Sequence, residues 1–444
     1  MLHNANLMKH SNIQRPNKPL PALAVILVLF LLSKAAVFCA EPTVLELNVR
    51  DLGARGDGTN YDTKPIQQAI NMCATNGGGT VRFPPGVYLC QPIKLCNNLK
   101  LILEEGATLL ASRNHQHFMK QPGNWLEAKN NNDFIPLILA EKAENIHIEG
   151  RGTIDGSGQV WWDAAEEARR KTPGYTLPRP NLISFVKCRN ISIKGITVQN
   201  SPKFHVVPIE CENVLIEGVK ILAPHYTPNT DGIDPSLSVN VIIRNCFIDV
   251  GDDNIAIKSG RKLPTREWGC ENILVENCHF KHGHGMSIGS ETVGGVRNVI
   301  VRNCTFENTE NGIRIKSARG RGGVVNGLYC ENISMTNVER AITLTCYYPR
   351  IPTNDLPQPF TNTTPAYTNV VIKNLTATCY ENAGLIVGLP ESPIKNVTLE
   401  NITIRSRTTG LEIRNADGII LHNVTIQPGR GSPIITNNAA VSLK

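Results

Sequence analysis

Four short motifs hold the residues of this 444-residue chain that could do chemistry. They read Asn229-Thr230-Asp231-Gly232, Gly251-Asp252-Asp253, Gly283-His284-Gly285 and Arg314-Ile315-Lys316. The separations are regular: 21 residues from Asp231 to Asp252, 31 from Asp253 to His284 and 30 from His284 to Arg314. If each interval is one turn of a coil, all four motifs stack on one face. Carboxylates in adjacent rungs then lie about 5 Å apart. Like charges that close cannot all ionise easily, so one pKa rises. A neutral general acid and an ionised general base can then coexist near neutral pH, and glycoside hydrolysis needs that pair. Glycines beside His284 let backbone or ligand come close. Arg314 and Lys316, two residues apart on a strand, point the same way and can grip a carboxylate on an acidic substrate. Singly, each motif is ordinary: Asp-Gly and Asp-Asp serve turns, and Arg-x-Lys suits a solvated strand. Recurrence at one interval sets them apart.

The elements that must position these residues follow from the rest of the chain. Aromatics are 5% and glycines number 36, which implies an aliphatic core and frequent turns. An Asn-led unit recurs at Asn145, Asn190, Asn213, Asn240, Asn272, Asn298, Asn326, Asn369 and Asn396, mostly at intervals of 23 to 32 residues. That is a solenoid period. Within the units apolar residues alternate, as in Ile191, Ile193 and Val241, Ile243, so each holds short strands with one side inward. A coil of this length with three short strands is a parallel β-helix. Near the start, Thr63 is expected to cap a helix with Pro65 in its first turn and an apolar face of Ile66, Ala69, Ile70 and Cys73. This helix closes one end. The longer intervals contain two insertions, one with Trp161-Trp162-Asp163 and a charged helical piece to Lys171, the other from Tyr347 to Tyr367. Both are expected as outside loops, which often carry specificity. The fold class is therefore all-β, one domain spanning about 43–444.

The N-terminus reads as a secretory signal over 1–39. Lys9, Arg15 and Lys18 precede the apolar run Ala22 to Leu32, which is short for a membrane span and suits a signal core. Cleavage is expected after Cys39; the alternative is an uncleaved anchor extending to Ala40. The chain is thus expected to be secreted, extracellular or in a cell wall, monomeric and without stable membrane association. Twelve cysteines follow Cys39. Seven recur beside repeat asparagines (Cys188, Cys211, Cys246, Cys270, Cys278, Cys304, Cys330), where small buried hydrophobes fit as well as bridges. Cys73, Cys90, Cys96, Cys346 and Cys379 are the better disulfide candidates. No CxxC pair suggests zinc. The glycines Gly77-Gly78-Gly79 lack a following Lys-Ser/Thr, which excludes a phosphate loop. The net charge of +7 favours a polyanionic partner, but no basic tail or aromatic RNA-binding motif points to nucleic acid. Of the Asn-x-Ser/Thr triplets at Asn190, Asn303, Asn332, Asn362, Asn374, Asn396, Asn401 and Asn423, several fall on the repeat position, where Asn is expected to stack at a coil corner. Asn362, in the second insertion, is the expected glycan site.

Together the four motifs resemble those of the polygalacturonases, glycoside hydrolase family 28, in order and spacing. The resemblance covers nearly the whole mature chain, including Gly53-Ala54-Arg55-Gly56-Asp57-Gly58. It implies a right-handed parallel β-helix that hydrolyses α-1,4 bonds between galacturonates of pectin by inversion, with no metal or other cofactor. It implies Asp252 as general acid, Asp231 and Asp253 as the pair activating water, and His284 as support for the acid. Asn229 would orient the site, and Arg314, Lys316 and Tyr348 would bind substrate, with Tyr347 the neighbouring claimant for the tyrosine position. One departure is Asn254, where Cys often follows the two acids; this is expected to alter packing only. The segments Ser290-Glu291-Thr292-Val293-Gly294-Gly295 and Arg319-Gly320-Arg321-Gly322-Gly323 resemble the branch that includes exo-acting members. Rung spacing by itself suggests retention of configuration, because close carboxyls normally mean a nucleophile. Three acids sharing the work can reconcile it with the inversion the resemblance implies. The competing functions are a rhamnogalacturonan hydrolase, a calcium-dependent pectate lyase with the acids as metal ligands, and a catalytically dead pectin-binding solenoid.

Overall fold

Each turn of the chain lays down short strands that pair in parallel with the turns before and after. The structure is a computed structural model that describes residues 45–173 and 175–444; the signal-peptide reading of 1–39 lies outside them. Strand Val239–Arg244 pairs with Cys270–Glu276, Phe247–Asp249 with His279–Lys281, and Ile255–Ile257 with Met286–Gly289, all in parallel. Three faces thus advance together, as a β-helix requires. The winding is right-handed, the hand that twisted strands favour for parallel crossovers.

The alternation predicted from the sequence fills the interior. Val214, Val241, Ile273, Val299, Leu328, Val370, Val397 and Ile419 occupy one register line. All are buried, and each such side chain contributes about 1.5–3 kcal/mol by leaving water. Corners are turned by asparagines in the left-handed region, such as Asn213 at φ 59° and Asn240 at φ 55°, a conformation Asn tolerates better than most residues. Each amide donates to the preceding one, Asn213 to Asn190 at 3.1 Å, Asn240 to Asn213 at 3.2 Å and Asn272 to Asn240 at 3.1 Å. A second ladder links Asn303, Asn332, Asn374, Asn401 and Asn423. The expected stacking therefore occurs, and most of the Asn-x-Ser/Thr asparagines are spent in it. Asn362 stands apart and is exposed.

Four expectations are corrected. Helix α1, Thr63–Thr75, buries Ile66, Ala69, Ile70 and Cys73 as predicted, but its N-cap is Asp62. The Asp62 carboxylate instead accepts from the backbone N–H groups of Arg55 at 2.7 Å and Gly56 at 2.9 Å, fixing the glycine loop. Helix α2, Gln159–Lys171, is docked rather than loose: Trp161 is fully buried among His115, Phe118, Trp125 and Phe134. No disulfide forms among the described residues: their twelve cysteines are all free thiols. Cys90 and Cys96 donate to the carbonyls of Gln91 and Ile70, and Cys246 to Arg244 and Ile216. The fourth concerns Asn254, below.

Candidate active site

The strand Ile255–Ile257 points Ile255 and Ile257 inward, and the turn before it presents Asp252 and Asp253. One coil earlier, Gly232 N–H donates to Asp253 O at 2.9 Å, which sets Asp231 beside Asp253. One coil later, His284 N–H donates to Asp252 O at 2.9 Å. Gly285 at φ 79° permits this: a Cβ there would stand 1.9 Å from Asn311 O. The four motifs thus meet as their spacing predicts.

Each acid has a different partner. Asp252 faces His284, with Nδ1 3.0 Å from Oδ1, and Glu310 takes the other ring nitrogen at 3.3 Å. Asp253 accepts from Arg314 Nη2 at 2.9 Å, Lys316 Nζ at 2.7 Å and Ser287 Oγ at 2.8 Å. Asp231 accepts from Lys258 Nζ at 2.9 Å, and Lys258 also binds Asp234. Side-chain exposure separates them: 19% for Asp252 and 26% for His284, against 4% for Asp231 and 3% for Asp253. Asp252 and His284 line a cleft of about 480 Å³ together with Arg169, Tyr175 and Tyr226.

Proton affinities follow the partners. Burial alone raises Asp252, but His284 outweighs it and holds the carboxyl well below its ordinary value. Burial likewise opposes ionisation of Asp253, and Lys316 and Arg314 hold it down. Burial and then Asp234 push Asp231 well up, with Lys258 opposing. His284 loses hydration by burial, yet Asp252 and Glu310 raise it to about 10. The imidazole is therefore favoured as the charged form at neutral pH, with the proton of the Asp252–His284 pair on the ring.

Asn229 Nδ2 lies 3.4 Å from Asp252 Oδ2, while its Oδ1 accepts from Arg179 Nη2 at 2.8 Å. Arg179 is 1% exposed and also binds the carbonyls of Pro202 and Pro228. Sequence reading missed Arg179, because nothing local marks it. It also missed Lys258 and Asp234. The alternation Ala256, Lys258 on an outward strand face is the signal that Arg314 and Lys316 share, and it could have found Lys258. Of the two tyrosines, Tyr348 is the one beside Lys316, its ring centroid 5.1 Å from Nζ, whereas Tyr347 is buried and donates to Asp355. Arg321 joins the two glycine-rich segments by binding Glu291 and Ser290.

Asn254 does more than pack. Fully buried, it donates to Ile248 O and His282 O at 3.0 Å each and accepts from Gly285 N–H at 2.9 Å. It ties the loop of the acids to the loop of His284, which a cysteine could not do through three such bonds.

Could the acids hold a metal? Asp252, Asp253 and His284 offer ligand atoms within 4.8 Å of one another. A hard dication wants six or more oxygens. Here the Asp253 oxygens already serve two side-chain cations, and a third charged neighbour, His284, stands within 4.0 Å. The donor set does not fit.

The sequence profile of the family described as Glycosyl hydrolases family 28 matches residues 98–427. An endo-polygalacturonase of Pectobacterium parmentieri is 34% identical over 370 residues, 80% of this chain and 87% of that protein. The solved hyperthermoactive exopolygalacturonase from Thermotoga maritima superposes with a TM-score of 0.73 at 29% identity, over 87% of this chain and 93% of that one. The polygalacturonase from Erwinia carotovora ssp. carotovora gives 0.70 at 30% identity, over 86% and 94%.

Proposed function

Because the chain belongs to glycosyl hydrolases family 28, we propose that it hydrolyses the α-1,4-galacturonosidic bonds of polygalacturonate, the backbone of pectin, with inversion and without a metal. The observation that carries the reading is the division of labour among three acids: one open to the cleft beside a protonated imidazole, two buried beside fixed cations. Asp252 gives a proton to the glycosidic oxygen and is recharged by His284. Anionic galacturonates near Asp252 favour moving the shared proton from the ring to the carboxyl. Asp231 and Asp253 hold a water, whose oxygen attacks the anomeric carbon while its proton passes to a carboxylate. Asn229, fixed by Arg179, orients Asp252. Lys316, between Asp253 and the ring of Tyr348, and Arg314 beside it receive a substrate carboxylate.

The donor set argues against the calcium-dependent lyase, and the full set of three acids argues against a pure binding solenoid. The apolar run Ala22 to Leu32 supports secretion to the cell exterior, and no helix among the described residues is long and apolar enough to cross a membrane. We read the enzyme as a monomer. Relatives of both endo and exo mode occur, so product size on polygalacturonate assigns the mode. The test of the function is an assay in EDTA. Reducing ends should appear with no unsaturated, ultraviolet-absorbing product. Loss of activity on chelation that calcium restores contradicts the reading.

A further inference from the structure

Behind the three motif acids lies a second layer, Lys258 between Asp231 and Asp234. Both carboxyls are nearly inaccessible, 3% and 1% exposed. Lys258 Nζ binds Oδ2 of each, and Oδ1 of each is buried with no hydrogen-bond donor. A buried carboxylate oxygen without a donor is costly. The surroundings are otherwise hostile to a negative charge at Asp231. Asp234, Asp252 and Asp253 all face Asp231. Arg179 and Lys203 lie further off, and Arg179 is committed to Asn229 and backbone carbonyls. The Asp231 carbonyl accepts from His205, a ring that burial keeps neutral. Lys258 itself sits 3.8 Å from the centroid of Phe204, and its charge also acts on Glu291. One direct cation therefore serves two buried acids.

We propose that Lys258 is a positioning residue that opposes protonation of Asp231 and so sets the pH at which Asp231 can act as the base, with Asp234 as the competing charge that limits how firmly it does so. The inference rests on the hydrolase reading above, with Asp231 as a base. It makes two substitutions move the enzyme in opposite directions. Removing the cation lets Asp231 capture a proton at higher pH; removing Asp234 gives Lys258 to Asp231 alone.

The experiment is the pH dependence of kcat/KM on polygalacturonate at fixed ionic strength. In Lys258→Met the acid limb should move up by about 1–3 pH units, the effect of one adjacent opposite charge. In Asp234→Asn it should move down, and Lys258→Arg should restore most of the wild-type profile. A Lys258→Met enzyme that is slower or less stable with an unmoved acid limb overturns the proposal, since a purely structural residue behaves so. Should Lys258→Met fail to fold, an unmoved limb in Asp234→Asn overturns it equally. Asp231→Asn separates the two claims. Retained activity there removes Asp231 as base and the inference with it, whereas an inactive Asp231→Asn beside an unmoved Lys258→Met limb rejects the inference alone.

Discussion

The imidazole of His284 is held between two carboxylates, Asp252 at 3.0 Å and Glu310 at 3.3 Å. Burial opposes its charge, but the two acids prevail and raise it to about 10. A raised histidine contributes stability that is fully present below its unfolded value near 6.5 and is lost as pH rises through about 10. His284→Asn should therefore cost more stability at pH 6 than at pH 10, measured by urea unfolding at both. Equal losses at the two pH values contradict the charged ring.

Asp252→Asn keeps the shape and removes the donated proton. General acid catalysis contributes about 10²–10⁴-fold, so turnover should fall in that range while the protein stays folded. Near-normal turnover reassigns the acid.

Lys316 is tied to Asp253 and lies against the Tyr348 ring. Lys316→Ala should raise KM for polygalacturonate, and it should also lower kcat, because Asp253 loses a partner that keeps it ionised. Added salt should weaken binding by the wild type, as it screens the charge on the substrate. Equal preference for fully methyl-esterified pectin shows that no carboxylate is read.

Much of this was legible in the sequence because a solenoid converts spacing into proximity. Asp231, Asp253, His284 and Arg314 come together since each interval is one coil, and the Asn corners gave the period away. What stayed hidden depends on reach rather than register. Arg179 enters the site from the segment after α2, and Lys258 reaches back to Asp231 and Asp234. Trp161 looked like a loop residue because its partners His115, Phe118 and Trp125 lie in another irregular stretch with no period to read. The cysteines failed as disulfide candidates because small buried thiols satisfy a coil interior without bridging. Likewise, one letter cannot tell that Asn254 makes three bonds across two loops.

That last contact is testable. Asn254→Ala removes the bonds to Ile248 O and His282 O and leaves the Gly285 N–H without its side-chain acceptor. An orphaned buried group costs about 1–3 kcal/mol, so the variant should be markedly less stable in urea. Its kcat should also fall, since the His284 loop loses its tether. A stable variant with normal kcat contradicts the tethering role.

The central claim is that three carboxylates share an inverting displacement, with Asp252 giving the proton while Asp231 and Asp253 hold the water. Their partners point apart, His284 on the cleft side for Asp252 and Lys258 on the strand side for Asp231, so neither buried acid need act as a nucleophile despite the close rungs. Proton NMR of the earliest products from the α-linked polymer decides this most directly. The account predicts that the new reducing end appears first as the β-anomer and then mutarotates. An initial α-anomer, or a trapped glycosyl-enzyme on any of the three aspartates, contradicts it.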